Sequence, residues 1–336
     1  MAFPNAAYQI AATTNVPAYS AFGTETVIER EWQNTWMPKM PLLAMIYDGK
    51  SNWNKGSNIG GTRMLIPLMT ADMTTAADGV TDANELTAIS AVVTAGFTQA
   101  AFEIAHYRGA TWIRESERRL INNERGNFHD GKIKQAMNSF ANAIANDLSG
   151  ATTLIDARAN VVSYQQVLGT TTNTVGGIDQ TTTADWTAQL LTGAGGFVLD
   201  LIDDRIDLCV AKGANPNLGL FSSTSTNNVW GKLKSSIGSA ERITNNDFTK
   251  KYGVRNVVYS DVMCVMDNRM ASTSGTDGRF YLMDTNTWYF RGDEKPYAKP
   301  VRGLNGTDAD EYMFVQFLSV GCGNVSWNAG VQGITA

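Results

Sequence analysis

The chain has 336 residues, a formal net charge of −5, 43% hydrophobic and 18% charged residues. That length allows a large core and two or three structural units. Lys and Arg are scattered without a phosphate-tracking run, which argues against tight nucleic-acid binding, and no apolar window approaches the roughly 18 residues of a membrane-spanning helix.

The charged fraction is below the usual ~25%, and Thr, Asn, Ser and Gln make the polar surface instead. Low charge suits burial of much surface against neighbours; the alternative is a Thr/Asn-rich habit of the sequence. The opening MAFPNAAYQI lacks the basic flank and apolar centre of a signal peptide. Residues 1–22 show no period and are expected to form an extended arm. Thr24 to Met37 carries Val27, Ile28, Trp32 and Trp36 at helical spacing, so a short helix capped by Thr24 is expected, broken by Pro38 and Pro41. Lys50 to Gly61 is expected to be a loop.

Two strand-like runs follow. Thr62 to Met69 alternates Met64, Ile66 and Leu68 against Arg63, Leu65 and Pro67. Ser90 to Tyr107 alternates Phe97, Ala101 and Glu103 against Ala100, Phe102 and Ile104. A polar loop (TADMTTAADGVTDANELTAI) separates them. At roughly 3.3 Å per residue the first run alone reaches about 26 Å. An isolated two-stranded ribbon is marginal in water, and Pro67 suits an edge or a bulge. The ribbon is therefore expected to need a partner surface, found on another copy of the chain. Arg63, Met64, Ile66, Phe97 and Phe102 are the candidate inter-subunit contacts, joined by Arg114, Glu117 and Arg118 from the mixed-charge stretch Arg114 to Leu120. That stretch is expected to be helical; it reads either as a solvated helix with i,i+4 pairs or as a charge-complementary edge between subunits.

From Asp130 to Ser149, Ile133, Ala136, Met137, Phe140, Ile144 and Leu148 form one apolar stripe, predicting a helix of roughly 28 Å that stops at Gly150. Thr170 to Thr183 is a low-complexity break. A second helix is expected over Gly196 to Lys212, with Val198, Leu201, Ile202, Ile206 and Cys209 inward and Asp200, Asp203, Asp204 and Asp207 mostly opposite. Leu218 to Phe221 reads as a buried strand and Val229 to Ile237 as a weaker helix. Strands are expected at Asn256–Tyr259, Val262–Met266, Phe280–Met283, Thr287–Arg291 and Tyr312–Val320, with Gly321-Cys322-Gly323 turning the last into Val325–Trp327 as a hairpin. Helices mixed with antiparallel strands, without βα alternation, give an α+β class.

The chemical motifs are weak. Gly126 to Lys132 (GNFHDGK) has phosphate-loop spacing, but Ile133 stands where the magnesium-binding hydroxyl belongs and no buried strand precedes it. Asp203, Asp204 and Asp207 spell DDxxD, with Asp200 a turn earlier; such a face could hold a divalent metal, be solvated, or pair with a neighbour's Arg. His106 and His129 lack metal or triad spacing and read as structural. The Gly clusters at 176–177 and 193–196 read as bends, since a dinucleotide fingerprint would need glycine at Val198. Cys209, Cys264 and Cys322 fit reduced thiols better than a disulfide framework. No cofactor is expected.

The order of parts resembles the Hong Kong 97-like major capsid proteins of tailed bacteriophages. Gly177-Ile178-Asp179 with Trp186, Ala211 to Ser222 (AKGANPNLGLFS), Gly278 to Asp284 (GRFYLMD) and the apolar tail Val331 to Thr335 are similar to phrases of that family. The resemblance implies an N-terminal arm and short helix (1–47), an extended β-hairpin loop (48–107), a peripheral domain (108–150 and 279–322) with a spine helix over 130–149, and an axial domain with a central sheet (151–278 and 323–336). It implies no active site. It implies self-assembly as pentamers and hexamers into an icosahedral virion capsid built in the host bacterial cytoplasm around double-stranded DNA, without sequence-specific binding and without a membrane. A separate scaffolding protein, a portal protein and decoration proteins are the implied partners. Two alternatives stay open: an encapsulin-like cargo shell, and a divalent-metal enzyme using the Asp200–Asp207 face.

Overall fold

The structure is a computed structural model that describes residues 41–48, 54–56, 63–69, 97–114, 128–150, 161–223, 228–237, 256–270, 278–292, 297–301 and 309–335. The expected arm, the helix at 24–37, the ribbon tip and residues 115–127, with Glu117 and Arg118, lie outside the described residues.

In chain order the elements are helix α1 (Pro41–Asp48), strands β1 (Asn54–Gly56), β2 (Arg63–Met69), β3 (Phe97–Glu103) and β4 (Ala105–Arg114), helices α2 (Phe128–Ser149) and α3 (Tyr164–Leu168), strands β5 (Thr174–Val175), β6 (Ile178–Asp179), β7 (Gln189–Leu191) and β8 (Gly195–Gly196), helix α4 (Asp200–Ala211), strand β9 (Leu218–Ser222), helix α5 (Val229–Ser236), and strands β10 (Asn256–Tyr259), β11 (Val262–Asp267), β12 (Gly278–Met283), β13 (Trp288–Gly292), β14 (Tyr297–Val301), β15 (Ala309–Cys322) and β16 (Ala329–Thr335). They fall into two compact units. The smaller draws on Arg108–Asn142 and Pro296–Val315, the larger on Pro38–Tyr107, Ala143–Lys295 and Gln316–Ala336.

The larger unit is built on a seven-stranded sheet of order β10-β11-β9-β12-β16-β7, with β8 also pairing β16. Every residue of β9 and β12 is buried, as expected of central strands written as continuous apolar runs. One face is filled by aromatic side chains: Phe221 stacks on Phe280 at 5.1 Å between centroids, with Trp230 of α5 at 6.4 Å and Phe197 meeting Phe280 edge-on at 6.3 Å. Ile202 and Cys209 bring the inner side of α4 into the same core. Asn228 caps α5 by accepting a hydrogen bond from the Gly231 N–H at 2.7 Å. The Gly176-Gly177 pair, with φ of 60° and 83°, makes the two-residue turn joining β5 to β6, so this cluster is a bend as expected. In the smaller unit β15 pairs with β14, and Phe314 lies 6.3 Å from Phe140 of α2. Gly109 lets α2 come close, since a Cβ there would meet the Phe140 ring at 2.9 Å.

Several expectations change. A helix that was not expected, α1, opens at Pro41: the missing N–H costs nothing at the first helical position, and Leu42, Leu43, Met45 and Ile46 are buried. The expected hairpin into Val325–Trp327 does not form. Asn328, fully buried, accepts from the Asp284 N–H and the Trp288 indole N–H, both at 3.0 Å, and donates to the Asn324 carbonyl at 2.7 Å. That network holds 324–328 as a turn and sends β16 into the seven-stranded sheet. The sheet is mixed: β9–β11 and β7–β16 are parallel. Strand β12, expected in a peripheral sheet, pairs with β9 and β16. Asn54–Gly56, expected as loop, pairs in parallel with β13, and Arg114 ends a strand where a helix was expected.

Candidate assembly surface

The ribbon is the first feature to build, because its period-2 alternation decides which face is offered to a partner. Strands β2 and β3 pair antiparallel with Met64 opposite Phe102, Ile66 opposite Ala100, Leu65 opposite Ala101 and Arg63 opposite Glu103. The alternation read from the sequence holds. Its consequence does not. The face of Met64, Ile66, Ala100 and Phe102 is buried within its own unit, with Phe102 only 1% exposed. Two glycines make this seat. A Cβ at Gly321 would meet Phe102 Cδ2 at 2.5 Å and Met64 Cε at 2.6 Å, and one at Gly176 would meet Phe102 Cζ at 2.9 Å. The Ala101 N–H donates to the Gly176 carbonyl at 2.8 Å, and the Ser319 hydroxyl donates to the Glu103 carbonyl at 3.0 Å. The base of the ribbon therefore has a surface of its own to pack on. Met64, Ile66 and Phe102 are intrachain core and not exposed contacts; sequence alternation cannot say whose glycines a face meets.

The opposite face is exposed. Arg63 and Glu103 approach to 3.5 Å, each side chain about three-fifths exposed, a surface pair worth a few tenths of a kcal/mol at most. Leu65, beside them, is 55% exposed, and Pro67 is exposed too. Phe97 opens β3 opposite Met69. In the smaller unit Trp112 is 56% exposed with the Arg114 guanidinium 5.1 Å from its ring centroid. Leu65 and Trp112 were missed as surface anchors, although Arg63-x-Leu65-x-Pro67 and Arg108-x-Ala110-x-Trp112-x-Arg114 both show a strand face with polar and apolar side chains together.

The residues singled out for chemistry take the following places among the described residues. No group of three or more His, Cys, Asp and Glu side chains is placed to hold a metal ion. Asp203 instead accepts a 2.7 Å hydrogen bond from the Tyr259 hydroxyl, and burial together with that bond pushes the Tyr259 pKa up to about 12. His106 stacks on Phe317 at 4.1 Å. Gly131 and Lys132 lie inside α2, past its first residues Phe128 to Asp130. Cys209, Cys264 and Cys322 are free and buried, their pKa values pushed up to about 12 by burial.

No protein-family model and no curated protein matches this chain. Solved structures do. The capsid asymmetric unit of cyanophage A-1(L) superposes with a TM-score of 0.65 at 13% identity, covering 96% of this chain and 100% of that one. The capsid of the native GTA particle gives 0.59 at 10% identity over 97% and 99%. The holo encapsulin complex of Synechococcus elongatus gives 0.58 at 10% identity over 100% and 97%. The chain has the fold of a capsid shell protein. Chains from Mycobacterium phage Che8 and Gordonia phage Cozz are similar at TM-scores of 0.52 and 0.53.

Proposed function

We propose that this chain is the major capsid protein of a tailed double-stranded-DNA phage and not an enzyme. It assembles as pentamers and hexamers into an icosahedral shell around the genome, with a separate scaffolding protein, a portal and decoration proteins as partners and the bacterial host cytoplasm as the place of assembly. The observation that supports this is correspondence over whole chains: 96% of this one with 100% of the cyanophage capsid chain. In the Hong Kong 97-like scheme, residues 48–107 take the part of the extended loop, the smaller unit the peripheral part with α2 as its spine, and the seven-stranded sheet the axial part. The outer ribbon face around Arg63 and Leu65 then meets a neighbour, and the negative net charge keeps the shell from gripping DNA. Expression with the neighbouring genes followed by negative-stain microscopy tests this: closed shells are expected, and a population of monomers under every condition would refute it.

One observation favours a second function on the same fold. The encapsulin correspondence covers 100% of this chain, so a cargo-enclosing compartment is the competitor. Portal and terminase genes beside this one support the capsid; an adjacent ferritin-like or peroxidase gene supports the compartment.

A further inference from the structure

We infer that the outer sheet face of the smaller unit is a subunit contact that receives the acidic outer face of α4 from a second copy of this chain. The inference rests on the shell-forming function proposed above and names one of its contacts.

The sheet face follows from strand parity. Gly109 and Phe314 point at Phe140 of α2, so Arg108, Ala110, Trp112 and Arg114 of β4 point the other way, and all four are exposed. Strands β4 and β14 both pair with β15. Tyr297 lies opposite Val315 and Lys299 opposite Met313, out of phase with Phe314, so they share the outer face; Tyr297 is 46% exposed. One face thus carries a Trp, a Tyr and two Arg, the residue types enriched at binding hot spots, together with a Lys. An exposed Trp under a guanidinium keeps much apolar area in water, and that area is recovered only when something covers it.

Charge complementarity names the cover. The chain is acidic overall, and α4 presents Asp200, Asp204 and Asp207, exposed at i, i+4 and i+7, on the side away from buried Ile202 and Cys209. Leu208, 40% exposed, and Val210, 53% exposed, flank that stripe. A carboxylate stripe with apolar margins is the complement of an aromatic face studded with cations. Two different patches meeting head to tail make a heterologous contact, which closes rings of identical subunits when the rotation permits.

The test uses the full chain, assembled as for the wild type and read by sedimentation and light scattering, with circular dichroism and thermal unfolding to show that each variant is folded. Trp112→Ala is expected to raise the concentration needed for half-assembly by about tenfold or more, the size of a hot-spot loss, without changing the unfolding temperature. Arg108→Asp/Arg114→Asp and Asp204→Arg/Asp207→Arg are each expected to block assembly, and the two pairs combined in one chain to restore it. Assembly of Trp112→Ala at the wild-type concentration overturns the inference. Failure of the combined, folded variant to assemble also overturns it, because the face then belongs to some other partner. A wild type that never assembles refutes the shell function itself, a separate result.

Discussion

Phe102→Ala distinguishes a ribbon seated on its own chain from one that waits for a neighbour. The ring is 1% exposed and fills the space left by Gly176 and Gly321, against Met64. Truncation leaves a cavity bounded partly by backbone, which cannot collapse into it, so a loss of about 3–5 kcal/mol is expected. At an m-value of about 3 kcal/mol/M this lowers the urea midpoint of the unassembled subunit by about 1–1.7 M. Leu65→Ala, on the exposed side of the same strand, is expected to change stability by less than about 0.5 kcal/mol, a midpoint shift below about 0.2 M, while weakening assembly. An unchanged midpoint for Phe102→Ala, coupled to lost assembly, would refute the seat and return the buried face to a partner.

Further outcomes are expected. Ser260 and Asp261 hold the β10–β11 turn at φ of 48° and 62°, where a Cβ is strained, so Asp261→Gly should stabilise by about 1 kcal/mol in urea unfolding; a destabilised variant would contradict this. The three thiols should resist a disulfide reagent at pH 8 in the folded protein and all react once unfolded; rapid labelling of the native chain would refute their burial. These thiols and Tyr259 hold their protons more tightly when folded. Their contribution is therefore present below about pH 9 to 10, where the unfolded groups titrate, and is lost as pH rises toward 12. A urea midpoint at pH 11 equal to or above that at pH 8 would contradict the sign. Deleting Asp72 to Glu85 should leave the subunit foldable and weaken the shell, and unfolding of the isolated subunit would count against that role.

What the sequence made legible was periodic. The stripe from Ile133 to Leu148 fixed α2 to within two residues at its start, and β10 matches its expected span. The buried runs at Leu218 and Phe280 were readable as strands because central strands are apolar on both faces. What it hid was long-range. Nothing local marks Gly321 as the floor under Phe102, 219 positions away in sequence by simple difference of their numbers, and nothing in Val325–Trp327 reveals that Asn328 will hold the turn. Short partners such as β7 and β8 exist only because β16 offers them an edge. The candidate surface was half legible: alternation identified two faces of the ribbon, and tertiary packing chose which one to bury.

The most direct measurement of the central claim is the mass distribution of the purified chain across a concentration series, by sedimentation velocity with negative-stain imaging of the fastest fraction. A cooperative step from subunits to closed, uniform shells is expected. A single compact monomer at every concentration would contradict it.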